Sequence, residues 1–260
     1  MKQFILRFAL LLSIALPCQA NDVPPVTACA TDVNSPPYLF TGDSNGTTMN
    51  QGFSVDVLQK VLQRMHLAPA QLRRLPWARC LNEVAIGNIN IAINVPTAQV
   101  DPTPYWVTDR YVDVHSVYIF SKTNHPEGLS IPSLHELKRF KVCGLLGTRY
   151  DAYGLEAEQI DVGSWDYFSV FGKIGAKRCD LAIEKTLVLN GLLKQDEQLR
   201  HLYESGHLAQ GKMPEDDMLG LHFIVSRKMT DGESLRNAIN GEIQAMKKDH
   251  VLEKMLAKYL

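Results

Sequence analysis

Val26-Thr27-Ala28-Cys29-Ala30 and, further on, Phe53-Ser54-Val55-Asp56-Val57-Leu58-Gln59-Lys60-Val61-Leu62-Gln63-Arg64-Met65 are the two stretches whose succession decides the fold class. The first is a short run of small and β-branched residues that stops before the breakers Asn34-Ser35-Pro36-Pro37, and it reads as a buried strand. In the second, Phe53, Val57, Leu58, Val61, Leu62 and Met65 recur at helical spacing, which predicts a helix over Ser54–Met65 with one buried face. Between them Asp43–Gly46 reads as a polar turn.

The same unit repeats down the chain. Leu72–Leu75 is a short strand, and Pro76 opens a helix running through Leu81 and Val84 to Gly87, since the first helical N–H needs no partner. Ile89–Ile93 is a third strand, Pro96–Pro104 a loop, and Val112–Phe120 a long apolar strand. After Asn124-His125-Pro126 a second series follows: a helix over Leu134–Leu137, a strand over Lys141–Leu145, a helix opening at Gly147-Thr148, a helix over Phe168–Ile174 and a strand over Cys179–Ile183. Leu221–Val225 is the last strand, and Leu235, Ile239, Ile243, Met246, Leu252, Met255 and Leu256 mark the buried side of one or two closing helices. Alternation of this kind predicts an α/β chain with largely parallel sheets.

Residues 1–20 have the build of a secretory leader: Lys2 and Arg7, the apolar run Phe8–Leu16, and Ala20 before the cleavage point. Proline at position 17 suits lipid attachment at Cys18 badly, so the mature chain is expected to begin at Asn21 and to be soluble. The net charge of −1 becomes more acidic once Lys2 and Arg7 are removed, which argues against nucleic acid and anionic lipid as partners. Cys29, Cys80, Cys143 and Cys179 remain, an even number in an oxidising compartment, which suggests two disulfides with three possible pairings. No CxxC or HxxxH spacing competes for them as a metal site, and no cofactor is expected.

In order along the chain, Pro37-Tyr38, Gly52-Phe53-Ser54-Val55-Asp56-Val57, Leu75-Pro76-Trp77-Ala78-Arg79, the strand leading to Ser121-Lys122, Gly147-Thr148, Cys179-Asp180-Leu181-Ala182-Ile183 and the tail Leu235–Leu260 resemble the extracellular solute-binding proteins, family 3, of polar amino acid uptake. The resemblance implies a type II periplasmic-binding fold, with two α/β lobes joined by a two-strand hinge and a ligand cleft between them. It divides the chain into a leader (1–20), a first lobe (21–118), a second lobe with crossing strands (119–226) and C-terminal helices returning to the first lobe (227–260). On that division Cys29 and Cys80 share one lobe and Cys143 and Cys179 the other, so the expected bridges are Cys29–Cys80 and Cys143–Cys179, which leave the hinge free. The implied function is capture of a small polar ligand, amino-acid-like or an organic anion, in the periplasm by a monomer that serves an ABC permease and catalyses nothing.

Relatives with amino acid ligands hold the carboxylate with an arginine near the position of Thr97, but here Thr97-Ala98-Gln99-Val100-Asp101-Pro102 carries none. Arg149, at the expected helix start after Gly147-Thr148, is a substitute anion clamp or a solvated residue. Arg110 either reaches the cleft from beyond the proline loop or lies on the surface, with the surface preferred, and Arg79 either touches ligand or pairs within its own lobe. Trp77 and Tyr38 are either aromatic cleft walls or core. Counting from Asp180, the ammonium-binding acid falls on Glu184, with Lys185 next to it; strand alternation should turn only one of them to the cleft, and Glu184 is preferred. Two other functions stay open: a sensing module for a membrane receptor, and a lyase or dehydratase on the same fold. No nucleophile motif or phosphate loop supports the latter.

Overall fold

The computed structural model describes residues 25–44, 47–96, 101–148, 150–214 and 219–260. The expected leader, Thr97 and Arg149 lie outside the described residues. The chain begins with β1 (Thr27–Thr31), β2 (Phe40–Ser44), β3 (Thr47–Gln51), α1 (Phe53–Arg64), β4 (Gln71–Leu75), α2 (Trp77–Ala85), β5 (Ile91–Pro96), β6 (Tyr105–Val107) and β7 (Val112–Val114). β1 lies between β4 and β5 and runs parallel to both. α1 buries Phe53, Val55, Val57, Leu58, Val61 and Leu62, the stripe its spacing predicts. Gly52 makes the entry to α1 possible: its φ is 124°, and a Cβ there would lie 2.4 Å from the Tyr38 carbonyl oxygen. Around the turn expected at Asp43–Gly46, β2 and β3 pair as an antiparallel hairpin in register from Phe40↔Gln51 to Ser44↔Thr47, with Asp43 and Ser44 in β2 and residues 45–46 outside the described residues.

The chain continues through β8 (Ser116–Ser121), α3 (Leu134–Leu137), β9 (Val142–Leu145), β10 (Ile160–Ser164), α4 (Tyr167–Gly175), β11 (Leu181–Lys185), α5 (Thr186–Gln195), α6 (Glu197–Ser205) and β12 (Leu208–Lys212). These build a second sheet in the order β10-β9-β11-β8-β12. It then returns with β13 (Leu219–Ser226), α7 (Gly232–Lys248) and α8 (Val251–Leu256). β13 sits antiparallel beside β5 in the first sheet, while α7 and α8 pack on α1. Leu219–Ser226, at the end of the range 119–226 expected to hold the second lobe with its crossing strands, pairs in the first sheet.

The expected long strand over Val112–Phe120 is two strands. Val112–Val114 pairs with β13 in the first sheet and Ser116–Ser121 with β11 and β12 in the second, so the chain changes sheets at His115. Gly147-Thr148 opens no α-helix. Gly147 turns the chain at φ 80°, and among the described residues two three-residue 3-10 turns, Asp151–Tyr153 and Ala157–Gln159, follow before the next strand. Within the second sheet the strands not anticipated from the sequence, β10 and β12, are its two edges, where Asp161, Gly163, Gln210 and Lys212 break any apolar run. Cys29 is bonded to Cys80 and Cys143 to Cys179. The first bond ties β1 to α2, and the second ties β9 to the entry of β11, so neither crosses between the sheets.

Candidate ligand-binding site

The carboxyl ends of β1, β5, β9 and β11 and the start of α2 converge from the two sheets on one cavity of about 100 Å³. Ligand crevices of open α/β sheets lie at this end of the strands. One wall comprises Thr31, Val33, Ser35, Trp77, Asn94 and Pro96; the other comprises Leu145, Thr148, Tyr150, Tyr153, Tyr167, Glu184 and Lys185. A second cavity of about 520 Å³ adjoins it on the outer side and shares Trp77, Leu146 and Tyr167 with it.

On the first wall Asn94 has a left-handed backbone, φ 61°, at the end of β5. Its side chain is fixed by a hydrogen-bonded chain: the Tyr111 hydroxyl donates to Ser54 Oγ at 2.8 Å, Ser54 Oγ donates to Asn94 Oδ1 at 3.1 Å, and Asn94 Nδ2 donates to Ser35 Oγ at 3.2 Å. Trp77 occupies the first turn of α2, held there by Pro76 as N-cap. Tyr38 lies deeper than sequence reading suggested. It is 1% exposed, packs against Phe53, and its hydroxyl has no partner among the described residues.

On the second wall Glu184 and Lys185 end β11 side by side. The Tyr167 hydroxyl donates to Glu184 Oε2 at 2.5 Å, while Glu184 Oε1 accepts from the Lys185 backbone N–H at 2.7 Å and from Lys185 Nζ at 3.2 Å. Both residues line the cavity, against the expectation that only one would. The reason is local: α5 begins at Thr186, so the chain leaves strand geometry at Lys185 and the alternation ends there. Burial acts most strongly and lowers the Lys185 ammonium, but the charge and hydrogen bond of Glu184 together with Tyr153 outweigh it, and the pKa ends above the usual lysine value. Burial first, and Glu184 second, push the Tyr38, Tyr150 and Tyr167 phenols well above 10, which keeps them neutral hydroxyls at any physiological pH.

Arg79 is an exposed residue on the flank of α2, its guanidinium 3.7 Å from Glu83, and it does not line the cavity. Arg110 likewise pairs with Asp113 at 3.0 Å. Arg149 lies outside the described residues, and the segment that follows it, Asp151–Tyr153, is a 3-10 turn. Asn94 stands near the end of β5, Tyr150 and Tyr153 stand at a turn and Tyr167 is the first residue of α4, positions where no periodic signal marks a site residue. Ligand atoms of Cys143, Asp161 and Cys179 lie within 4.8 Å of one another, but the two sulfurs are bonded together and Asp161 pairs with Lys173 at 2.7 Å, which leaves no metal donor set.

Residues 28–260 match the bacterial extracellular solute-binding proteins, family 3. The chain belongs to that family. Solved structures extend the likeness to the whole fold. An amino acid ABC transporter substrate-binding protein from Streptococcus pneumoniae, bound to L-arginine, is 13% identical with a TM-score of 0.67, covering 90% of this chain and 94% of its own. A histidine kinase sensor domain with similarity to periplasmic binding proteins is 15% identical with a TM-score of 0.68, covering 91% and 96%. An ancestral amino acid-binding protein, a precursor of cyclohexadienyl dehydratase, is 17% identical with a TM-score of 0.62, covering 90% and 95%. No curated protein matches the chain. Most of the similar solved structures are described as substrate-binding or amino acid-binding proteins. None of the described helices is long and apolar enough to cross a membrane.

Proposed function

We propose that the protein is a periplasmic, monomeric binding protein that captures a small amino-acid-like zwitterion between two lobes and delivers it to an ABC permease in the inner membrane. The lobes are residues 25–114 with 219–260, and residues 116–212. The crossing at His115 and the return into β13 serve as the hinge, and closure seals the cavity. The leader at 1–20 would export the chain.

The observation that carries this reading is the Glu184–Lys185 pair at the cavity wall. In the unliganded cleft the two charges satisfy each other. A zwitterion enters by exchange: its ammonium takes the place of Lys185 Nζ on Glu184, and its carboxylate takes Lys185. Lys185 thereby supplies the cation for which the segment after β5 has no arginine. Capture rather than turnover is supported by the state of Glu184. A carboxylate held by three donors is a weak general base but a well-oriented receptor. The sensor-domain relative favours a second use of the same capture, signalling to a membrane receptor, which co-purification with permease or receptor separates.

Titration calorimetry with the common L-amino acids tests the reading. At least one is expected to bind, and Glu184→Gln and Lys185→Met are each expected to weaken it by about tenfold or more, the loss of one charge-assisted contact. Binding of none of them, or affinity unchanged in both variants, refutes it.

A further inference from the structure

Among the described residues, three exposed apolar side chains converge on the outer cavity: Trp165 at 74% exposure, Leu146 at 47% and Phe168 at 37%. Concentrated apolar exposure of this kind marks a binding surface. The backbone beneath it is fixed. Trp165 stands between the end of β10 and α4, and Asp166 caps α4 by accepting the Ser169 N–H at 2.8 Å. The indole is therefore held out into the opening by two ordered elements. Trp77 borders the same space from the opposite lobe.

The two cavities differ in size and chemistry. The inner one, about 100 Å³, carries the Glu184–Lys185 pair and has room for little beyond a zwitterionic head group. The outer one is about five times larger and is walled by Trp77, Trp165 and Phe168. Its carboxylates are engaged with the protein: Asp166 and Asp196 cap α4 and α6, and Asp32 faces Arg74, where it offsets part of the lowering that burial imposes on the guanidinium. The cavities meet at the Leu146-Gly147 turn, where a Cβ on Gly147 would lie 4.0 Å from the Trp77 Cβ, so any larger residue there would narrow the passage.

We infer that the outer cavity is a side-chain subsite for a large planar group, and that the ligand class is an amino acid with an aromatic side chain whose ring lies between Trp77 and Trp165. This rests on the zwitterion reading of the inner cavity. Offset or edge contacts with two indoles and a phenyl ring give an aromatic group an advantage over a small or aliphatic one of equal head-group chemistry.

The test uses the full mature protein with L-alanine, L-tryptophan and L-arginine as calorimetric probes, against wild type, Trp165→Ala and Lys185→Met. Trp165 is exposed, so its replacement leaves the thermal melt in place, which is checked directly. The expected result is that L-tryptophan binds wild type about tenfold or more tightly than L-alanine, that Trp165→Ala removes most of that advantage while changing L-alanine by less than about twofold, and that Lys185→Met weakens both. Equal affinity for the two, equal losses in Trp165→Ala, or tighter binding of L-arginine than of L-tryptophan overturns the inference and leaves the zwitterion reading standing. Binding of none of the three by wild type overturns the inference, and the zwitterion reading falls with it only if no other common L-amino acid binds.

Discussion

Glu184→Gln keeps the size of the side chain and its hydrogen bond with Tyr167 but removes the charge that faces Lys185. At the 3.2 Å separation of Lys185 Nζ and Glu184 Oε1, Coulomb attraction is about 1.3 kcal/mol at the dielectric constant of water and about 5 kcal/mol at an effective constant of about 20. The side chains are 20% and 9% exposed, so the pair is closer to the second regime, but desolvation of both charges offsets part of the gain. The expected net coupling is about 2 kcal/mol. It is measured by urea unfolding at pH 7 of wild type, Glu184→Gln, Lys185→Met and the double variant. Glu184→Gln alone should cost more than the same change made in the Lys185→Met background, because only the single variant leaves a buried ammonium without its carboxylate. A coupling below about 0.5 kcal/mol would refute the reasoning, since the pair would then be no better than an exposed surface contact.

Replacing Cys29 and Cys80 together by serine should destabilise the chain by about 4 kcal/mol, and replacing Cys143 and Cys179 by slightly less, because the bridges span 51 and 36 residues; guanidinium unfolding of each double variant reads both values. The Asp161 carboxylate is held below its usual 3.8 by the hydrogen bonds from Lys173 and the Gly163 N–H, so its contribution is present above about pH 4 and is lost as pH falls further; Asp161→Asn should flatten the part of the stability profile below about pH 4. In α5, a Cβ on Gly191 would stand 2.8 Å from the Pro36 carbonyl oxygen, so Gly191→Leu should push α5 off the Pro36-Pro37 segment and cost about 1–3 kcal/mol; a thermal melt unchanged to within a degree would count against that contact.

The parts of the fold that could be read from the chain are those with a single buried face. α1, α7 and α8 announce themselves because one stripe of each is apolar and the opposite face is charged. The β2–β3 hairpin does not, since Thr41, Gly42, Asp43 and Ser44 carry no apolar alternation and are recruited by backbone pairing alone. For the site, Trp77 was legible because Pro76 fixes the start of its helix, and Glu184 because it ends an apolar strand. Lys185 was misjudged by a rule that holds inside strands and lapses where the next helix begins. Tyr150, Tyr153 and Tyr167 come together only through tertiary packing around Glu184, which no local spacing encodes.

The change of sheets at His115 also sets an order of assembly. Everything from Ser116 to Lys212 is an insertion into the first sheet, whose strand β13 is synthesised only after the insertion is complete. A nascent chain that has just passed Lys212 therefore holds all five strands of the second sheet, while β5 still shows the bare edge on which β13 will pair. The insertion closes on itself, because Val117 at its start pairs with Lys212 at its end. The middle of the gene thus encodes a unit that can fold before the protein around it, and the last part to emerge, Leu219 onward, supplies the strand that completes the first sheet.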